Sequence, residues 1–320
     1  MQFLTLLYDT YRSLKSRGLF WVILWISVVL GLAYASIGCS ARGWSIFFGA
    51  VEFPSTFLLA GTDWERSLLL TTLDGLLDFW MLTLALVLAM FSCSTIFPDA
   101  MRAGAIDLVL SKPVTRFKVF CAKYCGGLLF VAVQAAVLAG ICFLSLLIRL
   151  HTAYWGVFWS VGLAVLIFSF VFAFNVLMGV LTRSSMSALL LTMLFWFSLW
   201  LTQKIHAETG RRLFAQIVSQ SDQPDMKTIS STMDQVHDGT GRLLQYLPKT
   251  RETADLFRRF VKAEAPHSFM EIQFGRKESA SPANSVAEPE KPILEVVTSG
   301  LIFEAVLLLL AYWHFATRDF

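Results

Sequence analysis

The chain has 320 residues, of which 56% are hydrophobic and 15% charged, against about 25% charged in a soluble domain. A mean hydropathy of +0.62 and several uncharged runs of about 20 residues exclude an ordinary soluble globule and point to a helical membrane protein. The net charge of +3 is small, and no basic stripe interleaved with aromatics offers a footprint for nucleic acid.

Residues 1–17 are expected to form an interfacial helix, because Phe3, Leu4, Leu7, Tyr11 and Leu14 recur at helical spacing. Arg12, Lys15 and Arg17 follow an amphipathic segment, and no small-residue cleavage site is convincing, so the segment does not read as a signal peptide. A first span is expected over about 19–37, with Trp21 at the inner interface. The apolar run Ser45–Gly61 is interrupted by Glu52 and Pro54 and is short for a span, so an interfacial or re-entrant piece is expected there. Asp63, Glu65, Arg66, Asp74 and Asp78 mark a wet stretch before a second span over about 79–97.

A basic segment follows. Arg102, Lys112, Arg116, Lys118 and Lys123 stand against Asp99 and Asp107 within 97–123, and so basic a short loop between spans belongs on the cytoplasmic side. Ile106, Leu108, Val109 and Leu110 give it an apolar face, punctuated by Gly104 and Pro113, which suits a helix lying on the membrane surface. Further spans are expected over about 124–148, 155–182 and 186–202, with a tight turn at Arg183-Ser184-Ser185, and a last one over about 297–316. The expected division is a membrane domain over 1–202, a polar extracytoplasmic loop over 203–296, and a last transmembrane helix with its tail over 297–320. The loop is expected to contain an amphipathic helix at Arg211–Val218 and a flexible linker over 276–292. Charge counting agrees: about ten Lys and Arg fall in short segments assigned inside, and about three, Arg42, Arg66 and Arg149, outside. Both termini are then cytoplasmic. The fold class is an all-α integral membrane protein with six transmembrane helices, an N-terminal interfacial helix and a large extracytoplasmic loop between spans five and six.

Chemistry is sparse. The chain lacks G-x-x-x-x-G-K-[ST], the loop whose backbone amides cradle nucleotide phosphates, so no ATP hydrolysis is expected from it alone. Its histidines form no H-E-x-x-H, and Cys121 and Cys125 lack neighbouring soft ligands for a metal. No cofactor or metal site is expected. Gln134, Asn175 and Glu304 fall within spans, where polar groups are candidates for a pathway; Glu304 is expected near the outer end, about one turn beyond Gly300.

The segment Gly104, Ala105–Leu110, Ser111-Lys112-Pro113-Val114-Thr115-Arg116 and Lys123 resembles the cytoplasmic loop of ABC-2-type transporter permeases. In these, a glycine, an apolar run and an s-k-P-v-s-R motif precede a lysine entering the next span. Leu247-Pro248-Lys249 and the terminal Arg318-Asp319 extend the likeness. The family usually places an acid just before the glycine; here Arg102 stands at that position, with Asp99 a turn earlier. The resemblance implies a transmembrane subunit of an exporter in a bacterial-type inner or plasma membrane. It implies a second permease subunit, identical or different, and separate ATP-binding subunits that hold ATP and magnesium. The helix that couples them would be carried by Asp99, Arg102, Gly104, Asp107, Lys112, Pro113 and Arg116. The alternative is a membrane scaffold or anchor that recruits partners through 203–296.

Overall fold

Long runs that are apolar on every side cannot fold against water, and they dictate the architecture here. This computed structural model describes residues 2–16, 18–40, 43–54, 63–101, 115–219 and 293–317, with a few positions between 236 and 256. Five helices are long and apolar enough to cross a membrane: Gly18–Ser36, Arg116–Leu150, Trp155–Thr182, Ser185–His206 and Glu295–Thr317. The protein is mostly helical and integral to a membrane. Outward-facing large side chains such as Trp25 (63% exposed), Leu194 (62%) and Trp313 (66%) are what lipid rather than water would cover.

Helix α1 (Gln2–Lys15) lies against α6 (Arg116–Leu150). Its Leu14 and Thr10 are buried while Leu4 and Tyr8 face outward. Close approach is possible because α6 presents Gly126, where a Cβ would come within 2.5 Å of the Thr10 methyl. Helix α2 (Gly18–Ser36) also packs along α6, with Phe20 edge-on to Phe130 at 5.4 Å between centroids. Helix α7 (Trp159–Thr182) is the hub: it touches α6, α8 (Ser185–Ser219) and α9 (Ile293–Thr317). Phe168, Phe170 and Phe172 on α7 are fully buried, and their ring area supplies much of the packing. The expected turn after α7 is present, with Arg183 in the left-handed region (φ 54) and its N–H donating to the Gly179 carbonyl at 3.1 Å, a left-handed helix end.

Two expectations change. Residues 38–54, expected in part as an interfacial or re-entrant piece, form a small antiparallel sheet of β1 (Gly38–Ser40), β2 (Gly43–Ile46) and β3 (Val51–Pro54). Trp44 pairs with Phe53 across it, their rings stacked at 4.5 Å, a cross-strand contact that stabilises so short a sheet. The fold is therefore mostly helical rather than all-α. The second change concerns 79–97, which is not one regular helix. Helix α3 (Asp63–Leu76) runs into a π-helical stretch Leu77–Leu84, then α4 (Ala85–Cys93) and the short α5 (Ile96–Ala100). The wet stretch read from Asp63 to Asp78 is itself helical. Tertiary contacts hold this element in place: the Tyr34 hydroxyl donates to the Leu69 carbonyl at 3.0 Å, and Trp80 Nε1 donates to Ser27 Oγ at 2.9 Å. Helix α8 continues without a break past residue 202 to Ser219. Positions beyond it pack back on this extension, with Gln203 Nε2 donating to the Pro248 carbonyl at 3.1 Å and His206 Nδ1 meeting Thr240 Oγ1 at 2.9 Å.

Where α2 ends, Arg149 donates from Nη2 to the Ala35 carbonyl at 2.7 Å. Its guanidinium occupies the place a Cβ would take at Gly38. Beside it, burial and then the Glu65 carboxylate push the Cys39 thiol up to about 11, against the opposing pull of Arg149. The thiolate is the reactive form, so at neutral pH Cys39 is expected to alkylate about a hundredfold more slowly than a free cysteine. Its rate should climb as pH rises toward about 11. Maleimide labelling of a variant retaining only Cys39 checks this, and labelling at pH 7 as fast as in denaturant would refute the buried setting.

Candidate functional site

Polar groups in the bundle interior have few places to go, because each must find a partner or remain costly. Three such groups from three helices meet at Glu304. This residue lies near the midpoint of the 25-residue helix Ile293–Thr317, deeper than expected, because that helix begins several residues before 297. The Tyr124 hydroxyl, from α6, donates to Glu304 Oε1 at 2.7 Å, and the Ser169 hydroxyl, from α7, donates to Oε2 at 2.8 Å. Each hydroxyl also has a backbone carbonyl within reach, Ser169 O at 3.2 Å from Tyr124 Oη and Leu166 O at 2.8 Å from Ser169 Oγ. The Tyr124 ring is stacked on Phe172 at 5.3 Å, which fixes where its hydroxyl points. Glycine makes the junction possible: a Cβ at Gly300, one turn before Glu304, would overlap the Phe170 ring, so only a bare backbone lets α9 approach α7 this closely.

The other interior candidates do not join this cluster. Asn175 donates from Nδ2 to Thr192 Oγ1 at 3.1 Å, linking α7 to α8, and both are buried. Gln134 donates from Nε2 to the Phe20 carbonyl at 3.0 Å, linking α6 to α2. Its Oε1 is buried without a partner, beside a cavity lined by Ser27, Trp80, Leu86 and Leu138. These are interhelical ties, whereas Glu304 gathers hydroxyls on both of its oxygens. Tyr124 and Ser169 were not singled out in the sequence. A tyrosine and a serine inside apolar runs are common, and only the three-helix junction gives them a shared role.

At the proposed cytoplasmic face, Asp99 sits in α5, whose Phe97 and Pro98 are buried. A Cβ added at Gly179 of α7 would meet Pro98 at ordinary van der Waals distance, so the two helices approach closely there. Arg116, the first residue of α6, donates from Nη1 to the Ala316 carbonyl at 2.8 Å. It therefore caps the last turn of α9, a favourable place for a cation. Arg102, Gly104, Asp107, Lys112 and Pro113 lie outside the described residues.

The family model for ABC-2 family transporter proteins matches residues 9–320. The chain belongs to the ABC-2 transporter family. No curated protein matches it. As an ABC-2 family protein it is a permease-type membrane subunit without ATPase activity of its own, and membership implies an ATP-binding partner. Helices α6, α7 and α9, which meet at Glu304, all lie within the matched region.

Proposed function

We propose that this ABC-2 permease forms the substrate pathway of an exporter, as one of two permease subunits driven by separate ATP-binding subunits. The observation that supports a pathway is the junction of Glu304, Tyr124 and Ser169, polar groups from three helices near the middle of a span. In this reading the apolar Ala85–Ala100 stretch serves as part of a sixth span, helix α1 lies on the cytoplasmic surface, and both termini are cytoplasmic. Residues 98–123 are inside and 203–296 outside, with 1–202 as the membrane domain and 297–320 as the last transmembrane helix and cytoplasmic C-terminus. Asp99, Arg102, Gly104, Asp107, Lys112 and Pro113 then form the helix that docks the ATP-binding subunit, with Arg116 at its membrane end. Closure of the ATPase dimer drags this helix and rocks the spans between two packings.

Reversing one docking charge tests the reading. A charge left facing its unpaired counterpart at an interface costs about 2–5 kcal/mol of binding. Asp107→Lys is therefore expected to reduce co-purification of the ATP-binding subunit by about 30-fold or more, with matching loss of substrate-stimulated ATP turnover. Arg42→Glu, in the segment assigned outside, is the control. Equal behaviour of the two variants in both assays would overturn the docking assignment.

A further inference from the structure

The hairpin of β2 and β3 has the wrong faces for a sheet in water. A sheet lying on a protein normally turns its apolar side chains inward and its polar ones outward. Here Trp44 stands opposite Phe53 and Ile46 opposite Val51, so these four side chains share one face. Ser45 points to the other face, and it is the buried one, while Val51 and Phe53 are exposed. The polar residue of β2 is therefore packed in and the apolar face is turned away. The turn continues this pattern, with Phe47 69% and Phe48 72% exposed and no charged residue from Gly43 to Val51. Both phenylalanines have positive φ, 55 and 57, where glycine or asparagine would serve a turn with less strain.

Helix α2 fixes the depth of this turn. The Phe48 N–H donates to the carbonyl of Ser36, the last residue of α2, at 3.2 Å. That helix has 19 residues, about 28 Å at 1.5 Å per residue, close to the roughly 30 Å of a hydrocarbon core. The turn thus stands where hydrocarbon gives way to headgroups. It also extends a lipid-facing stripe, because Trp25, Val29 and Leu32 are exposed on α2 at a spacing that leads on to Ser36.

We propose that the β2–β3 hairpin is a lipid-docking element. Its apolar face and the Phe47-Phe48 tip rest in the boundary between headgroups and acyl chains, beside the end of α2. Aromatic rings suit that layer, and the exposed Glu52, on the other face of β3, is left to the water. The assignment goes beyond transport and needs only that α2 spans the bilayer, so it stands or falls apart from the pathway and docking readings.

The test places a bimane fluorophore at Phe48→Cys, in the full chain with its five native cysteines replaced, in phosphatidylcholine nanodiscs. Quenching is compared for a lipid with a nitroxide on its headgroup, a lipid with a nitroxide halfway down an acyl chain, and aqueous iodide. The headgroup nitroxide is expected to quench at least about twofold more than the mid-chain one, as for a group about 5–10 Å into the interface. Val29→Cys, outward-facing near the middle of α2, should show the reverse order. Quenching at position 48 by iodide alone would overturn the proposal, since the tip would then stand in water. Weak quenching by all three would overturn it as well, the outcome expected if a second permease subunit covers the hairpin. Stronger quenching from mid-chain would mark a re-entrant segment and also refute it. Should Phe48→Cys not fold, the unaltered protein decides. Phosphatidylcholine with a photoactivated diazirine at the top of its acyl chain is expected to label the segment 43–54. No label there, with α2 labelled, would sink the proposal.

Discussion

Gly300→Val is expected to destabilise the bundle more than any other single substitution at a described helical glycine facing α7. Its Cβ would fall on the Phe170 ring, and Phe170 is fully buried at the hub helix, so the ring has nowhere to swing. Overpacking of this kind costs about 1–3 kcal/mol, and more where the neighbour cannot yield. The damage would reach the functional cluster as well. Gly300 stands one helical turn before Glu304 and on the same side of α9, so pushing α9 off α7 stretches the 2.8 Å contact between Glu304 and Ser169. Gly162→Val is the control, since nothing lies within 4 Å of a Cβ there and the change in helix propensity is the same. Thermal unfolding of the two variants in detergent, followed by size-exclusion chromatography, reads the difference. Equal midpoints would mean that the α7–α9 contact is looser than the structure has it.

Arg116→Glu is expected to lower stability before it affects any partner. The substitution removes a hydrogen bond from a charged donor to the Ala316 carbonyl, at 2.8 Å, worth about 1.5–3 kcal/mol. It also sets a carboxylate against the negative end of α9, adding about 0.3–1 kcal/mol of repulsion. Arg116→Lys keeps the charge but loses the planar fork, so an intermediate loss is expected. The check is the thermal midpoint of the isolated permease in the absence of ATP-binding subunit. A midpoint for Arg116→Glu equal to the parent's would show that the cap contributes nothing, and would return Arg116 to the docking surface alone.

Much of the architecture was legible in the residues because lipid imposes a blunt rule: spans must be long and uncharged. The five long helices fall where uncharged runs of sufficient length lie. Legibility stopped where the backbone departed from the ordinary helix. Between Leu69 and Cys93 the described buried positions include Leu69, Leu70, Leu73, Leu77 and Trp80, then Leu86, Ala89, Met90, Ser92 and Cys93. The π-helical stretch Leu77–Leu84 between them has wider turns than an α-helix, so the face presented shifts across it. A reading at 3.6 residues per turn therefore gives a wet stretch and then a span from about 79, in place of one continuous helical element. The little sheet was hidden for a different reason, since Gly38–Pro54 is apolar enough to pass for a membrane-dipping segment. At the site, Glu304 could be picked out as an ionisable group in a span. Its depth could not, because Ile293, Leu294 and Glu295 extend the helix backwards and only the register of α9 against α7 brings Ser169 level with it. Arg116 was singled out as a docking charge, and the Ala316 carbonyl, 200 positions away in sequence, was beyond any local pattern.

The two arginine contacts on α6 have a mechanical meaning. This helix is 35 residues long, about 52 Å at 1.5 Å per residue, which exceeds the roughly 40–45 Å of a bilayer with its headgroups. At one extremity Arg116 grips the end of α9, and at the other Arg149 grips the end of α2. A rigid rod pivoting about its middle carries its two extremities in opposite directions. Any tilt of α6 therefore displaces the tip of α9 at one membrane surface and the tip of α2 at the other, with opposite sense. The two contacts thus tie the tips of α9 and α2 to one rod.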